Sequence, residues 1–259
     1  MAIKNIRITV TDIARSIEFY RTFLAAEVVG EVSEERALLD LVTATFELTR
    51  VTDPADSTWE ADDLQRGFRH IGFKVADVDA LVAPLKAADV PFHLDPLEAE
   101  GGVRIAFFYD PDGTLLELVE RDLQYHEIVS DALVTAERAL GVPGRPRFDH
   151  VAVTVDDFEA TKAFYTPLQF GHIGTIHQPH DPRGFRIDFL KSGDTVLEIF
   201  TYEAEKRTRE PQLDAAGYLA VQFDARGTDE QRRTVGRLAD SSTVYADPDD
   251  FTYTISGGA

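Results

Sequence analysis

The sequence predicts an α+β fold built from four copies of one βαβββ unit, the fourth degenerate. Three observations carry this: the chain repeats itself, each repeat opens with period-two alternation that switches to a helical stripe, and the segments after each stripe are cut by Gly, Asp and Pro turns. Residues 3–20, IKNIRITVTDIARSIEFY, align with 148–165, FDHVAVTVDDFEATKAFY, at an offset of 145. Thr9/Thr154, Val10/Val155, Asp12/Asp157, Phe19/Phe164 and Tyr20/Tyr165 are identical. HIGFKVADVDA from His70 aligns with HVAVTVDDFEA from His150 at an offset of 80. The fourth copy is fainter: GYLAVQFDARGTDEQ from Gly217 follows GFRHIGFKVADVDAL from Gly67, and ADPDDFTYTI from Ala246 echoes YDPDGTLLEL from Tyr109.

In order along the chain, Ile6, Ile8 and Val10 alternate as a strand, Asp12 stands where a helix N-cap belongs, and Ile13, Ile17, Tyr20 and Leu24 form a helical stripe. The second copy repeats this with Ile71, Phe73 and Val75, then Val78, Leu81, Val82 and Leu85; Pro84 interrupts that stripe and predicts a kink or a later helix start. The third opens with Val151, Val153 and Val155. Between copies two and three the pattern predicts a helix from His126 to Leu140, followed by Gly141-Val142-Pro143-Gly144-Arg145-Pro146-Arg147, the strongest boundary signal in the chain. The expected organisation is therefore a domain over 1–122 (units one and two), a linker over 123–147, and a domain over 148–259 (units three and four).

Composition agrees with a globular protein: 259 residues, 44% hydrophobic and 28% charged, enough for two modest domains with real cores. Cysteine is absent, so disulfides, thiolate metal sites and cysteine nucleophiles are excluded. Lys and Arg number 26 against 46 Asp and Glu, a net charge of −20, which argues against nucleic acid and anionic membranes as partners. The opening MAIKNIRITV runs directly into strand alternation and no 18-residue apolar run occurs, so a cytoplasmic location is expected.

Several polar residues stand where strands should be apolar. His70, Gly72 and Lys74 share one strand face, as do His150, Ala152 and Thr154. At the far end of the copies, Glu47, Glu117 and Glu198 interrupt apolar strands, where a buried carboxylate needs a partner. His70 and Glu117 are 47 residues apart, His150 and Glu198 are 48. A single strand histidine is ordinarily a hydrogen-bonded structural residue, and a single glutamate can sit on an exposed face. Recurrence of both at nearly equal spacing favours metal binding. The remaining histidines lack such a pattern: His172, His177 and His180 flank an expected loop at Ile176–Pro179 and read as solvated, with His177 nearest to a pocket role, and His93 and His126 have no partner by spacing. Arg183 and Arg186 read as surface ion pairs in so acidic a chain, and Phe108, Tyr109 and Trp59 as core.

The strands beginning at His70 and His150, the helices carrying Phe19-Tyr20 and Phe164-Tyr165, and the run DPDGTLLELVE containing Glu117 together resemble the vicinal oxygen chelate superfamily. That family includes glyoxalase I, epimerases, antibiotic resistance proteins and extradiol dioxygenases. The resemblance implies units paired into cupped, mixed sheets with flanking helices, each cup holding one divalent metal between the first and last strands of two units. By motif position the units offer Asn5 and Glu47, His70 and Glu117, His150 and Glu198, and Ala220 and Thr254, the last pair unable to ligate. Pairing of neighbours would give Asn5, Glu47, His70 and Glu117 in one site and His150, Glu198, Ala220 and Thr254 in the other. Pairing of the inner units would collect His70, Glu117, His150 and Glu198 in one complete set and leave the outer one dead, and is preferred because it accounts for survivors and losses together. Two imidazoles and two carboxylates suit Zn, Ni, Co, Mn or Fe(II). The implied activity is an isomerase, epimerase or glyoxalase-type lyase acting on a small molecule with vicinal oxygens, Glu198 or Glu117 serving as the base. The alternatives are an Fe(II) ring-cleaving dioxygenase and a non-catalytic small-molecule-binding protein; the expected assembly is a monomer or homodimer.

Overall fold

The computed structural model describes residues 3–224 and 232–256. Unit one comprises β1 (Ile3–Val10), α1 (Ile13–Leu24), β2 (Glu27–Val28), β3 (Arg36–Asp40) and β4 (Thr45–Arg50). Unit two comprises β5 (Gly67–Val75), α2 (Val78–Ala87), β6 (Phe92–Ala99), β7 (Val103–Tyr109) and β8 (Leu115–Glu120). A connecting segment carries β9 (Glu127–Ile128) and α3 (Asp131–Arg138). Unit three follows as β10 (Arg147–Val155), α4 (Phe158–Tyr165), β11 (Gly171–Gln178), β12 (Phe185–Ser192) and β13 (Thr195–Tyr202). Unit four contributes β14 (Gly217–Asp224), β15 (Arg233–Arg237), β16 (Thr243–Ala246) and β17 (Thr252–Ser256). The helix expected in unit four lies outside the described residues.

Each of the first three units turns from strand to helix at an aspartate. Asp12, Asp77 and Asp157 accept from the backbone N–H three residues on, at 3.0, 2.9 and 2.9 Å, which satisfies one orphan donor and stabilises each helix by about 1 kcal/mol. Pro84 does not delay α2. The helix starts at Val78 and runs through the proline, its buried face of Val78, Val82 and Leu85 outweighing one missing backbone hydrogen bond. The helix expected from His126 is also shorter than the pattern suggests. Glu127 and Ile128 are taken up as an edge strand against Thr175 and Gly174, and Ser130 then caps a helix that begins only at Asp131. Ile176, His177 and Gln178, expected in a loop, end β11 instead.

The strands form two sheets, in the orders β15-β16-β17-β14-β1-β4-β3-β2 and β6-β7-β8-β5-β10-β13-β12-β11-β9. The first unites units one and four, the second units two and three. Each sheet therefore takes one unit from either side of the Pro/Gly boundary. Within each half of the chain the two units are tied to each other by other contacts: the Tyr20 hydroxyl of α1 donates to Asp110 in the turn before β8, and the Tyr165 hydroxyl of α4 to Asp247 in the turn before β17, both at 2.7 Å. Burial pushes these two carboxyls up, to about 6 for Asp110 and about 7 for Asp247. A continuous core joins the sheets and helices, with Phe46 of one sheet 5.7 Å from Phe73 and 6.4 Å from Phe148 of the other, ring centre to ring centre.

Candidate metal centre

The inner sheet is joined by β5 and β10, which run antiparallel with Gly72 opposite His150 and Ala152 opposite His70. Each histidine thus faces a small residue. A side chain at Gly72 would place its Cβ 2.0 Å from Cε1 of His150, so the imidazole can cross the neighbouring strand only because that position is glycine. The parallel partners supply the carboxylates: β8 sets Glu117 beside Gly72, and β13 sets Glu198 beside Ala152. Strand pleating then sends all four side chains to one face.

They meet there. His70, Glu117, His150 and Glu198 are between 1% and 8% exposed, and one ligand atom from each lies within 4.8 Å of all the others. The His70 Nε2 is 3.2 Å from Glu117 Oε2, 3.3 Å from Glu198 Oε2 and 3.2 Å from His150 Nε2. The His150 Nε2 is 3.0 and 3.1 Å from the same two oxygens. Two ring nitrogens can bring at most two protons to five such contacts. Neither Oε2 has a hydrogen-bond partner, although both are buried, which is costly for a carboxylate. A divalent cation bonded at about 2.0–2.2 Å would set adjacent ligand atoms about 3 Å apart and satisfy all four. The donor set fits such an ion.

Two β-bulges shape the surroundings. The β5–β10 register skips Asp149 on one strand and Arg69 on the other, so each unpaired residue adjoins a histidine. Asp149 Oδ2 lies 3.2 Å from His150 Nδ1 and fixes the ring by its second nitrogen. Despite burial, the charge of Lys74 and the bond to His150 hold the Asp149 carboxyl down at about 2. Burial also opposes charge on His150, yet Glu198, Asp149 and Glu117 outweigh it and hold the imidazole well above its ordinary value.

Beside the four residues opens a cavity of about 280 Å³, floored by His70, Glu117 and Glu198 and walled by Ile105, Phe107, Ile187, Phe189 and Phe200. Arg69 stands over Phe200, its guanidinium carbon 4.1 Å from the ring centre. Among the other expectations, His172 is half-buried beside Asp188 and His177 bonds Glu127, both away from the centre. Arg183 pairs with Asp181 and Asp63, and Arg186 with Asp188. Phe108 is core, but Trp59 and His93 line the cavity, and Tyr109 is half-buried against His93. Sequence reading missed His93, Arg69 and Asp149. The repeated Phe-x-His at Phe68–His70 and Phe148–His150 is the signal that marks the last two.

The outer sheet carries the equivalent positions without this convergence. There Asn5 Nδ2 donates to Glu47 Oε2 at 2.8 Å, and Arg36 Nε to Glu47 Oε1 at 2.6 Å. Arg7, paired with Glu47 at 3.1 Å, occupies the register position held by Ala152 in the inner sheet, opposite Ala220.

A family model described as the Glyoxalase/Bleomycin resistance protein/Dioxygenase superfamily matches residues 2–118 and again 147–252. The uncharacterized protein YwkD of Bacillus subtilis is 33% identical over 129 residues, spanning 46% of this chain and 97% of that protein. A "Probable lactoylglutathione lyase" of Vibrio cholerae is 29% identical over 116 residues, 43% of this chain and 84% of its own. The crystal structure of glyoxalase I from Zea mays superposes with a TM-score of 0.66 at 20% identity, over 98% of this chain and 91% of that one.

Proposed function

The chain belongs to the Glyoxalase/Bleomycin resistance protein/Dioxygenase superfamily, and from that premise we propose that it is a divalent-metal-dependent isomerase, epimerase or glyoxalase-type lyase, moving a proton next to the carbonyl of a small substrate with vicinal oxygens. The observation that carries the reading is the convergence of four buried ligand atoms, two of them carboxylate oxygens without hydrogen bonds, at the floor of an apolar cavity. His70, His150, Glu117 and Glu198 would hold the ion. When bound, it would polarise the chelated carbonyl and acidify the adjacent C–H.

The remaining work falls to the chain. Glu117 and Glu198 both face the cavity, and one of them, its carboxylate not bonded to the ion at that moment, accepts the substrate proton and returns it. Asp149 keeps the His150 ring oriented. The phenylalanine walls exclude water from the carbanion-like species. A dioxygenase with two histidines and one carboxylate keeps positions open for catechol and O₂; four converging protein ligands argue against that alternative.

The test is exchange of the C–H next to the carbonyl of an α-hydroxyketone in D₂O, followed by NMR with metal-loaded protein. Exchange above that of the metal-stripped protein is expected, and Glu117→Gln and Glu198→Gln should slow it by about 10²–10⁴-fold for whichever is the base. Equal rates with and without metal would refute the reading.

A further inference from the structure

Resting on that reading, we propose that the substrate is a small molecule without ionic groups, bearing an aromatic or branched aliphatic body on its vicinal oxygens, and that this body lies only toward the Arg69 end of the cup. The two ends of the centre are related by the internal repeat and yet are built differently. At the Asp149 end the connecting segment is fastened down: Lys74 Nζ donates to Arg121 O at 2.6 Å, and Arg147 Nη1 to Leu140 O at 3.1 Å and Gly141 O at 3.3 Å. The Tyr125 hydroxyl donates to Glu137 within the same cover, at 2.8 Å. Lys191 is 3% exposed beneath it. At the other end the cavity lies against Arg69 and His70, and neither His150 nor Asp149 is among the residues that line it.

The cavity is small, and apolar side chains make up most of its wall, with acids gathered near Arg69. Its volume, about 280 Å³, falls just under the roughly 300–1,000 Å³ typical of drug-sized ligands. Phe107 and Phe189 occupy equivalent positions opposite Glu117 and Glu198, so a flat body on the chelating atoms is met by an aromatic ring from either wing.

Charge decides the rest. Arg69 donates to Asp63 at 2.6 Å, Arg183 to the other oxygen of Asp63 at 2.7 Å, and Arg207 is paired with Glu60 and Asp62. Among the described lining residues, the guanidinium at the rim is thus charge-paired through its terminal nitrogens, Nε alone lacking a hydrogen-bond partner, and Glu100 adds another carboxylate. The two ligand carboxylates offset a dication, so the centre offers no surplus positive charge. An anionic substituent would be desolvated among acids with no free cation to meet it. A peptide thiol conjugate such as the hemithioacetal of glutathione, with two carboxylates, is a poor match.

The experiment uses the full chain loaded with Co(II), whose visible absorption reports ligation directly. Three hydroxamate chelators are titrated: acetohydroxamate, benzohydroxamate and 4-carboxybenzohydroxamate. Benzohydroxamate is expected to bind at least 10-fold tighter than acetohydroxamate, and the carboxylated ring at least 10-fold weaker than the plain one. Phe107→Ala should narrow the first ratio, and Phe185→Lys, at a half-buried position in the cavity wall, should reverse the second. Equal binding of the acetyl and benzoyl probes, or tightest binding of the carboxylated one, would overturn the proposed substrate class while leaving the metal reading intact. Failure to take up Co(II) would overturn both.

Discussion

The two sheets carry the same four strand positions and treat a buried glutamate in opposite ways. In the outer sheet Glu47 has its counter-charge from the protein: Arg7 lies at 3.1 Å, Arg36 at 2.6 Å, and Asn5 donates a hydrogen bond. In the inner sheet Ala152 stands where Arg7 would be, and the close partners of Glu117 and Glu198 are the two histidines. Removing a guanidinium and inserting imidazoles turns an internally neutralised pair into a cluster short of positive charge. The scaffold thus settles a buried carboxylate in one of two ways, with a cation beside it as at Glu47 or with a tyrosine hydroxyl and a raised pKa as at Asp110 and Asp247, and among the described residues the inner pair Glu117 and Glu198 has neither a guanidinium nor a hydroxyl.

The largest effect should come from unbalancing the outer sheet. Glu47→Leu leaves buried Arg7 with the half-exposed Asp240, at 2.8 Å, as its remaining counter-charge and should cost about 3 kcal/mol in denaturant unfolding, while Arg7→Leu/Glu47→Leu together should restore most of it. A double variant as unstable as the single would break the comparison. Next comes Gly72→Ala, which replaces no ligand but displaces the His150 ring; metal affinity by calorimetry should fall by at least roughly 10–100-fold. Unchanged affinity would mean that the His150 ring is not needed where it lies.

Tyr165→Phe sharpens a different contrast, removing a donor to buried Asp247 at a cost of about 1–3 kcal/mol. Its sign with pH follows from burial, which raises this carboxyl to about 7 when folded. The folded state then binds the proton more tightly than the unfolded one, so the contribution of Asp247 is full below about 4 and is lost as pH rises through about 7. Because the tyrosine favours the ionised form, its loss should cost more at pH 8 than at pH 5. A pH-independent difference would contradict this. Smallest is a proton count. His150, held above its ordinary value by Glu198, Asp149 and Glu117 against the cost of burial, must lose its proton to ligate. Metal uptake at pH 7 should release about one proton, read as heats that vary with buffer ionisation enthalpy; buffer-independent heats would count against it.

What could be read from the sequence were features with a short period or a repeat. Ile6, Ile8 and Val10 alternate, Asp12, Asp77 and Asp157 cap, and the His70/Glu117 and His150/Glu198 spacings differ by one residue because two units of nearly equal length carry them. What escaped depends on the partner strand. Asp149 and Arg69 sit next to the histidines only through bulges in the β5–β10 register, which alternation along one strand does not encode. Arg7 looks like an ordinary strand residue until β4 places Glu47 beside it. Glu127 and Ile128 follow a helical pattern, but the edge of β11 offers them hydrogen bonds, and that offer is visible only in three dimensions. His93 reaches the cavity because β6 and β7 fold back as a hairpin in the same sheet.

The central claim is that units two and three close on a single cation. X-ray absorption on the metal-loaded chain, with His70→Ala, His150→Ala and His172→Ala in parallel, tests it most directly. One ion per chain, bonded to two imidazoles and two carboxylate oxygens at about 2.0–2.2 Å, lost in the first two variants and kept in the third, is the expected result. A chain that holds no metal, or holds it equally well without His70 and His150, would contradict it.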